Sequence, residues 1–274
     1  MPGRKLKSLE DFQRSLKNGY GLGEGNLYKP WLRVQDVKSE GKRSQIQGIK
    51  TGRIHHMMSS IETDFFYIIE YCDSVIDIRE QFPLIPINLS IKISEALGID
   101  HPFHPETGEP IVMTTDFLIS REVKQQAIYE AVSVKPEDQL GKGRIQEKLE
   151  IERVWWQLLG IKFSIFTGSE LTRIQSDNIS WATHPYRNSK KGFSQHELDM
   201  ALEIIGPGKL FFEDICNEYI KRIGVQHDDA LNLLRCLIAK KCICVDLSAP
   251  LEGADIINIL SKSNVYGDLA LGNS

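Results

Sequence analysis

Asp116 stands in the β-rich run Met113 to Ile119, and Lys135 closes a second such run, Ile128 to Lys135, immediately before Pro136. Side chains alternate along a strand, so Ser133 and Lys135 share a face. A carboxylate and an ammonium at neighbouring strand ends suit phosphodiester hydrolysis, in which hard oxygen donors hold a divalent cation that polarises phosphate and activates water. The lysine would set a positive charge beside the attacking water and the developing pentavalent phosphate, and an arginine there would be less able to adjust its pKa. Blander roles compete, because a lysine before a proline at a strand end is ordinarily solvated and an aspartate in a β-run often caps or pairs.

The elements that must position these groups are legible. Ser59-Ser60-Ile61-Glu62 reads as a capping box, and Ile61, Phe65, Ile68, Ile69 and Cys72 follow at helical spacing, predicting a helix from about 60 to 72 with Glu62 in its first turn. Val75 to Phe82 reads as a strand stopped by Pro83, and a loop with Pro102, Pro105, Gly108 and Pro110 leads to the Asp116 strand. Arg144 to Leu159 is helical up to Gly160, and Lys162 to Phe166 is a strand, so the two β-runs on either side of that helix predict a crossover unit. The expected first domain, residues 1–170, is α/β: an N-terminal arm and a mixed sheet flanked by helices. Helices near 194–205, 209–223 and 228–240 and a strand Cys242 to Leu247 predict a mainly α, winged-helix-like domain over 171–274.

Within the arm, Gly19, Gly21, Gly23 and Gly25 read as a flexible linker, since no strand precedes them and no Gly-Lys-Ser/Thr follows, while Tyr28, Pro30 and Trp31 look able to dock it. No internal repeat or low-complexity tract points to a solenoid.

Composition narrows the partners. Net charge is −4 over 274 residues, which argues against holding nucleic acid by global electrostatics. Residues 1–53, however, carry 12 Lys+Arg against 5 Asp+Glu, while residues from Ser194 onward carry 7 against 12. The basic arm suits either solvation or phosphate contact, and the acidic C-terminal part suits protein docking better than DNA reading. No apolar run approaches the roughly 20 residues of a membrane span, so no membrane partner is expected. The basic N-terminus lacks a following apolar stretch, making the cytoplasm the expected location. Five scattered cysteines read as reduced core residues rather than a disulfide framework, and Cys242 and Cys244 lack the partners of a zinc site.

An aspartate followed by an acidic-x-lysine triplet on the next strand is the pattern of restriction-endonuclease-like nucleases, which this chain resembles with Ser133 in place of the acid; Glu62 can supply the missing carboxylate from its helix. A longer resemblance is to the TnsA endonuclease family of heteromeric bacterial transposases. Tyr28-Lys29-Pro30-Trp31-Leu32, Thr51-Gly52-Arg53-Ile54-His55-His56, Asp77-Ile78-Arg79-Glu80-Gln81-Phe82-Pro83-Leu84, Thr115-Asp116-Phe117-Leu118, Val134-Lys135-Pro136 and Glu147-Lys148-Leu149-Glu150 carry it in family order, over about residues 28 to 167. The resemblance implies a restriction-endonuclease-like fold with catalytic Glu62, Asp116 and Lys135. It implies Mg²⁺, with Mn²⁺ able to substitute, held by Glu62, Asp116 and the Val134 carbonyl. It further implies nicking of the 5′ strands at transposon-end DNA, a TnsB-type DDE transposase that cuts and joins the 3′ ends, and a TnsC-type AAA+ regulator engaged by the C-terminal domain. Ser133 leaves open an assembly subunit that binds DNA without hydrolysis; a winged-helix transcription regulator ranks last, since Asp228 and Asp229 open its would-be recognition helix.

Lys50, Arg53, His55, His56 and Arg79 are the expected DNA contacts, the histidines also suiting metal or general-base roles. Glu147, Glu150 and Glu152, interleaved with Lys148 and Arg153, read as solvated helix pairing, with a metal ligand there as second choice.

Overall fold

The structure, a computed structural model, describes residues 3–37, 41–188 and 192–263. The chain divides into two compact units, one of residues 1–66 and 74–168, the other of residues 67–73 and 169–274.

The first unit is built on a four-stranded sheet. Its order follows the chain, β3 (Val75–Pro83), β4 (Thr114–Val123), β5 (Gln126–Val134) and β6 (Lys162–Phe166). β3, β4 and β5 are antiparallel neighbours and β6 runs parallel to β5. Helix α4 (Gly143–Leu158) makes the expected crossover between β5 and β6. Helix α2 (Ser60–Tyr71) lays Phe65 against Phe117 and Phe166, with ring centroids 5.1 and 4.8 Å apart. Elsewhere in the unit α4 buries Ile151, Trp155 and Trp156 with Leu118, Ala131, Leu84 and Ile93. A sheet covered in this way buries both faces of its inner strands, so Ile78 to Gln81 and Thr115 to Ser120 are buried without a break although Arg79, Glu80, Gln81, Thr115, Asp116 and Ser120 are polar.

Three features depart from expectation. Helix α3 (Ile87–Leu97), closed by Gly98 at φ 67°, occupies part of the stretch read as a loop. β4 and β5 form a hairpin whose turn residues, Lys124 (φ 52°) and Gln125 (φ 63°), are both left-handed; Asn-Gly is the usual sign of such a turn, and its absence hides it. The glycine-rich stretch is an ordered loop, not a flexible linker. Tyr20 bridges to Lys29, a Cβ on Gly21 (φ 78°) would collide with the Pro83 ring, and one on Gly23 (φ 92°) would come within 2.7 Å of the Leu27 carbonyl. The loop sets Tyr28 and Trp31 into the unit, 2% and 1% exposed, and α1 (Leu9–Lys17) packs Phe12 on Trp31. A short ribbon, β1 (Ser44–Gln47) with β2 (Ile54–Met57), completes the arm.

In the second unit, α5 (Glu170–Asn188) was not foreseen, because its first turns are too polar to show a periodic stripe. Then come α6 (Gln195–Ile204), β7 (Gly208–Phe211), α7 (Phe212–Ile223), α8 (His227–Ala239), β8 (Ile243–Val245) and β9 (Ile256–Lys262). The strands form an antiparallel sheet in the order β7-β9-β8. Leu198, Leu202, Ile215, Tyr219, Leu233, Leu234, Leu237 and Ile257 make its core. Cys242 is buried and Cys244 exposed, so Cys244 is not the core residue expected and the two thiols share no site. Among the described residues no helix is long and apolar enough to cross a membrane.

Candidate active site

Glu62, Asp116 and Lys135 come together at one end of the sheet in the first unit. Asp116 follows Thr115 in β4 and is 8% exposed. Its Oδ2 accepts the Val134 N–H at 2.6 Å and the Lys135 ammonium at 2.7 Å. The same ammonium donates to the Val134 carbonyl at 2.9 Å. Burial alone would lower the Lys135 pKa, but the negative charges of Asp116, Glu152 and Glu62 carry it upward. Lys135 is therefore neither a solvated strand end nor a neutral base; it is a cation held between two oxygens.

Glu62 reaches the site from the first turn of α2. Its N–H donates to Ser59 Oγ at 3.2 Å, the Ser59 hydroxyl donates to Glu62 Oε1 at 3.0 Å, and the Met58 N–H donates to Oε2 at 2.9 Å. The serine half of the capping box read from the sequence is present, and the Glu62 side chain returns to the Met58 N–H and the Ser59 hydroxyl rather than to the Ser59 N–H, so this turn fixes the carboxylate as well as the helix end. The side chain is 5% exposed. Burial, reinforced by the charge on Asp116, raises its pKa to about 7.

A third carboxylate, read as surface pairing, lies inside. Glu152 on α4 accepts the Ser133 hydroxyl at 2.5 Å and the Thr115 hydroxyl at 3.1 Å, while Trp156 Nε1 donates to Thr115 Oγ1 at 2.8 Å. Burial and then Asp116 raise its pKa to about 7. Serine at 133 therefore does not leave the strand end without a carboxylate nearby, since one enters from the crossover helix and touches that serine. Glu147 and Glu150 do pair with Arg144 and Arg153 as expected. The clue to Glu152 was phase: it lies one residue from buried Ile151, on the side of α4 that carries Leu149, Trp155 and Trp156. A cleft of about 360 Å³ opens here, lined by Asp116, Lys135, Gln139, Lys148 and Glu152 among apolar neighbours.

The donor set suits a hard divalent cation: two carboxylates and a carbonyl, all oxygen, in a place where three buried acids face one ammonium. Lys135 already occupies a cation's position against Asp116 and the Val134 carbonyl. Among the described residues no three acidic, histidine or cysteine side chains form a ready-made cage, so the Val134 carbonyl is needed to complete the expected set.

The residues expected to touch DNA are placed differently. Arg53 is buried and forked onto Glu80, Nη1 to Oε1 at 2.8 Å and Nη2 to Oε2 at 2.6 Å. His55 is fully buried, its Nδ1 2.8 Å from Glu80 Oε2 and its Nε2 2.7 Å from Thr51 Oγ1. Arg79 is buried too, donating to Ser120 Oγ at 3.1 Å and lying 3.4 Å from Asp77. These three sit inside the fold and stabilise β2 and β3; a phosphate cannot reach His55 as it stands. Lys50 Nζ donates to the Val75 carbonyl at 2.5 Å. His56 is half-buried, gives its N–H to Glu80 at 3.1 Å, and has its pKa lowered by burial. Sequence alone could not separate a basic residue aimed at solvent from one aimed at Glu80, because the partner lies about 25 residues away.

A mixed sheet with helices on its faces, a strand aspartate, a strand-end lysine and a helix glutamate define a restriction-endonuclease-like domain. Residues 72–168 match the family described as "TnsA-like endonuclease N terminal". The match contains Asp116, Val134, Lys135 and Glu152 and begins after Glu62. The chain is also similar to the transposon Tn7 transposition protein TnsA of Escherichia coli, 43% identical over 169 residues, which is 61% of this chain and 60% of that protein. The similarity therefore spans less than two thirds of either chain.

Proposed function

We propose that this protein is the endonuclease subunit of a heteromeric cut-and-paste transposase, cleaving the 5′ strands at transposon ends in the bacterial cytoplasm. The observation that carries the reading is the convergence of Asp116, Lys135 and Glu62 at the sheet end, with Asp116 and Lys135 inside the segment that matches TnsA-like endonucleases. Glu62, Asp116 and the Val134 carbonyl are the groups suited to hold Mg²⁺, or Mn²⁺ in its place. Such an ion would polarise the phosphoryl oxygens and make bound water a nucleophile at neutral pH. Lys135 sets its ammonium where negative charge grows on the phosphorus oxygens, an electrostatic contribution that is large in a water-poor site. Asp116 holds that ammonium, and the capping hydrogen bonds of Glu62 keep its carboxylate in one rotamer.

The partners proposed with this reading are transposon-end DNA, a TnsB-type DDE transposase and a TnsC-type AAA+ regulator; similarity to a transposon transposition protein supports a role in transposition. The second unit, read as winged-helix-like and net acidic from Ser194 onward, is assigned to docking the protein partners. Lys50 and His56 remain the proposed DNA contacts.

Strand-specific cleavage of a labelled transposon-end duplex, with Mg²⁺ and the cognate transposase and regulator, tests the assignment. Wild type is expected to give 5′-strand nicks that Asp116→Ala abolishes. Equal products from both, or 3′ cutting alone from both, would leave a non-catalytic assembly subunit as the better account.

A further inference from the structure

Strand β3 interrupts its own ladder at Gln81. Glu80 pairs with Phe117 and Phe82 with Thr115, so Gln81 falls at the level of Asp116. Its φ is 49°, in the left-handed region that a side-chain-bearing residue seldom adopts inside a strand. Such a conformation persists where the surroundings impose it, and it concentrates at functional sites. The carbonyl is turned out of the ladder to accept the Trp31 N–H at 3.2 Å.

The side chain is 3% exposed. Its Nε2 donates to Glu62 Oε2 at 3.4 Å and its Oε1 accepts the Thr114 hydroxyl at 3.2 Å. The direction of this hydrogen bond suits Glu62 as a metal ligand, because a ligating carboxylate is ionised and can only accept. The other hydrogen bonds to the Glu62 carboxylate come from Met58 and Ser59, in its own turn. Gln81 brings one from the sheet, from the level of Asp116. Glycine would adopt this backbone without strain, so the conformation alone does not call for glutamine; the amide does.

We propose that Gln81 is a positioning residue for the metal site: its amide ties the helix carboxylate Glu62 to the strand opposite Asp116 and so sets the distance between the two ligands. This rests on the endonuclease reading above. Groups that orient metal ligands in this way contribute about 10- to 100-fold to affinity or activity.

The experiment uses the full chain, with Mn²⁺ binding followed by titration calorimetry and transposon-end cleavage measured with the cognate partners. Two variants remove the donor. Gln81→Gly also relaxes the backbone, and Gln81→Met keeps the side-chain volume. Both are expected to weaken Mn²⁺ binding and lower kcat by about 10- to 100-fold with KM for DNA unchanged, while the thermal midpoint of Gln81→Gly stays at or above wild type. In a Glu62→Gln background the Gln81→Gly change should have no further effect on Mn²⁺ binding, since Gln81 acts through Glu62. If Gln81→Gly binds Mn²⁺ and cleaves like wild type, or loses both equally in the Glu62→Gln background, the inference fails while the endonuclease reading stands. If wild type itself neither binds Mn²⁺ nor cleaves, both fail.

Discussion

Two groups of buried acids in the first unit have opposite electrostatic fates. Glu80 is fully buried, and burial would raise its pKa; the charge of His55 and the hydrogen bonds from Arg53 and His55 outweigh that and hold it well below the usual carboxylate range. Glu62 and Glu152 are buried to a similar degree, but beside Asp116, and burial with that neighbouring charge outweighs the Lys135 ammonium, so both are pushed up to about 7. A carboxylate with a bidentate guanidinium and an imidazole is finished within the fold. A cluster in which three buried carboxylates share the Lys135 ammonium, with Lys148 at its edge, is short of positive charge, which is what a site for a divalent cation requires before the cation binds.

The largest effect separating the two should come from removing Glu80. Glu80→Ala leaves the Arg53 guanidinium buried without its partner, and breaking one side of such a pair costs about 3–5 kcal/mol. Urea unfolding should show the unfolding free energy falling by that amount, as a lower midpoint at unchanged slope. A loss below 1 kcal/mol would mean the pair is solvated in solution and that Arg53 could, after all, be offered to DNA.

Lys135→Ala should do the reverse, sparing the fold and removing the chemistry. Loss of one charge-stabilising donor costs about 10²- to 10³-fold in rate, so 5′-strand nicking should fall by that factor while the variant stays folded at the assay temperature with Mg²⁺ present to offset the lost charge. Nicking within a few-fold of wild type would move the catalytic cation elsewhere.

The pH dependence of stability should carry both signatures. Glu80 has a folded pKa below its ordinary value of 4.5, so its contribution is present above pH 4.5 and is lost as pH falls through its folded pKa. Glu62 and Glu152 titrate near 7 when folded against 4.5 otherwise. Between those values the folded state keeps protons that the unfolded chain has released, so their contribution is full below pH 4.5 and declines as pH rises to 7. In EDTA the denaturation midpoint should therefore peak near pH 5 and fall toward pH 8, and Mg²⁺ should restore it at pH 8. A midpoint that rises steadily from pH 5 to 8 in EDTA would contradict the charge deficit at the site.

This contrast also marks what the sequence could show. Local patterns were readable: the capping box at Ser59 and Glu62, the strand-ending Pro136, and the periodic stripe of α4 between two β-runs fix the elements that carry Glu62, Lys135 and the crossover. Pairing at long range was not. Arg53 and His55 looked like surface cations because Glu80 is about 25 residues away in sequence. Glu152 looked like one more charge on a solvated helix because its contacts, Ser133 and Thr115, lie on two other strands. The hairpin turn at Lys124 and Gln125 and the backbone of Gln81 are left-handed without glycine, and no residue type announces that; strand pairing across the turn imposes the first, and contacts with Trp31, Glu62 and Thr114 surround the second.

The smallest predicted effect addresses whether Glu152 belongs to the charge-poor cluster or is merely a buried acid. Glu152→Gln keeps an oxygen for the Ser133 and Thr115 hydroxyls, which now donate to the carboxylate at 2.5 and 3.1 Å, but removes a charge that neighbours Asp116. Below pH 4.5 the native carboxyl is protonated and the variant should match wild type. At pH 8 in EDTA it should be more stable, on the order of 1–3 kcal/mol from one carboxyl relieved of ionising in place. The gain should shrink when Mg²⁺ is added, because a bound cation relieves the same repulsion in wild type. A variant equally stabilised with and without Mg²⁺ would separate Glu152 from the metal site, leaving Glu62 and Asp116 with the Val134 carbonyl as the whole protein contribution.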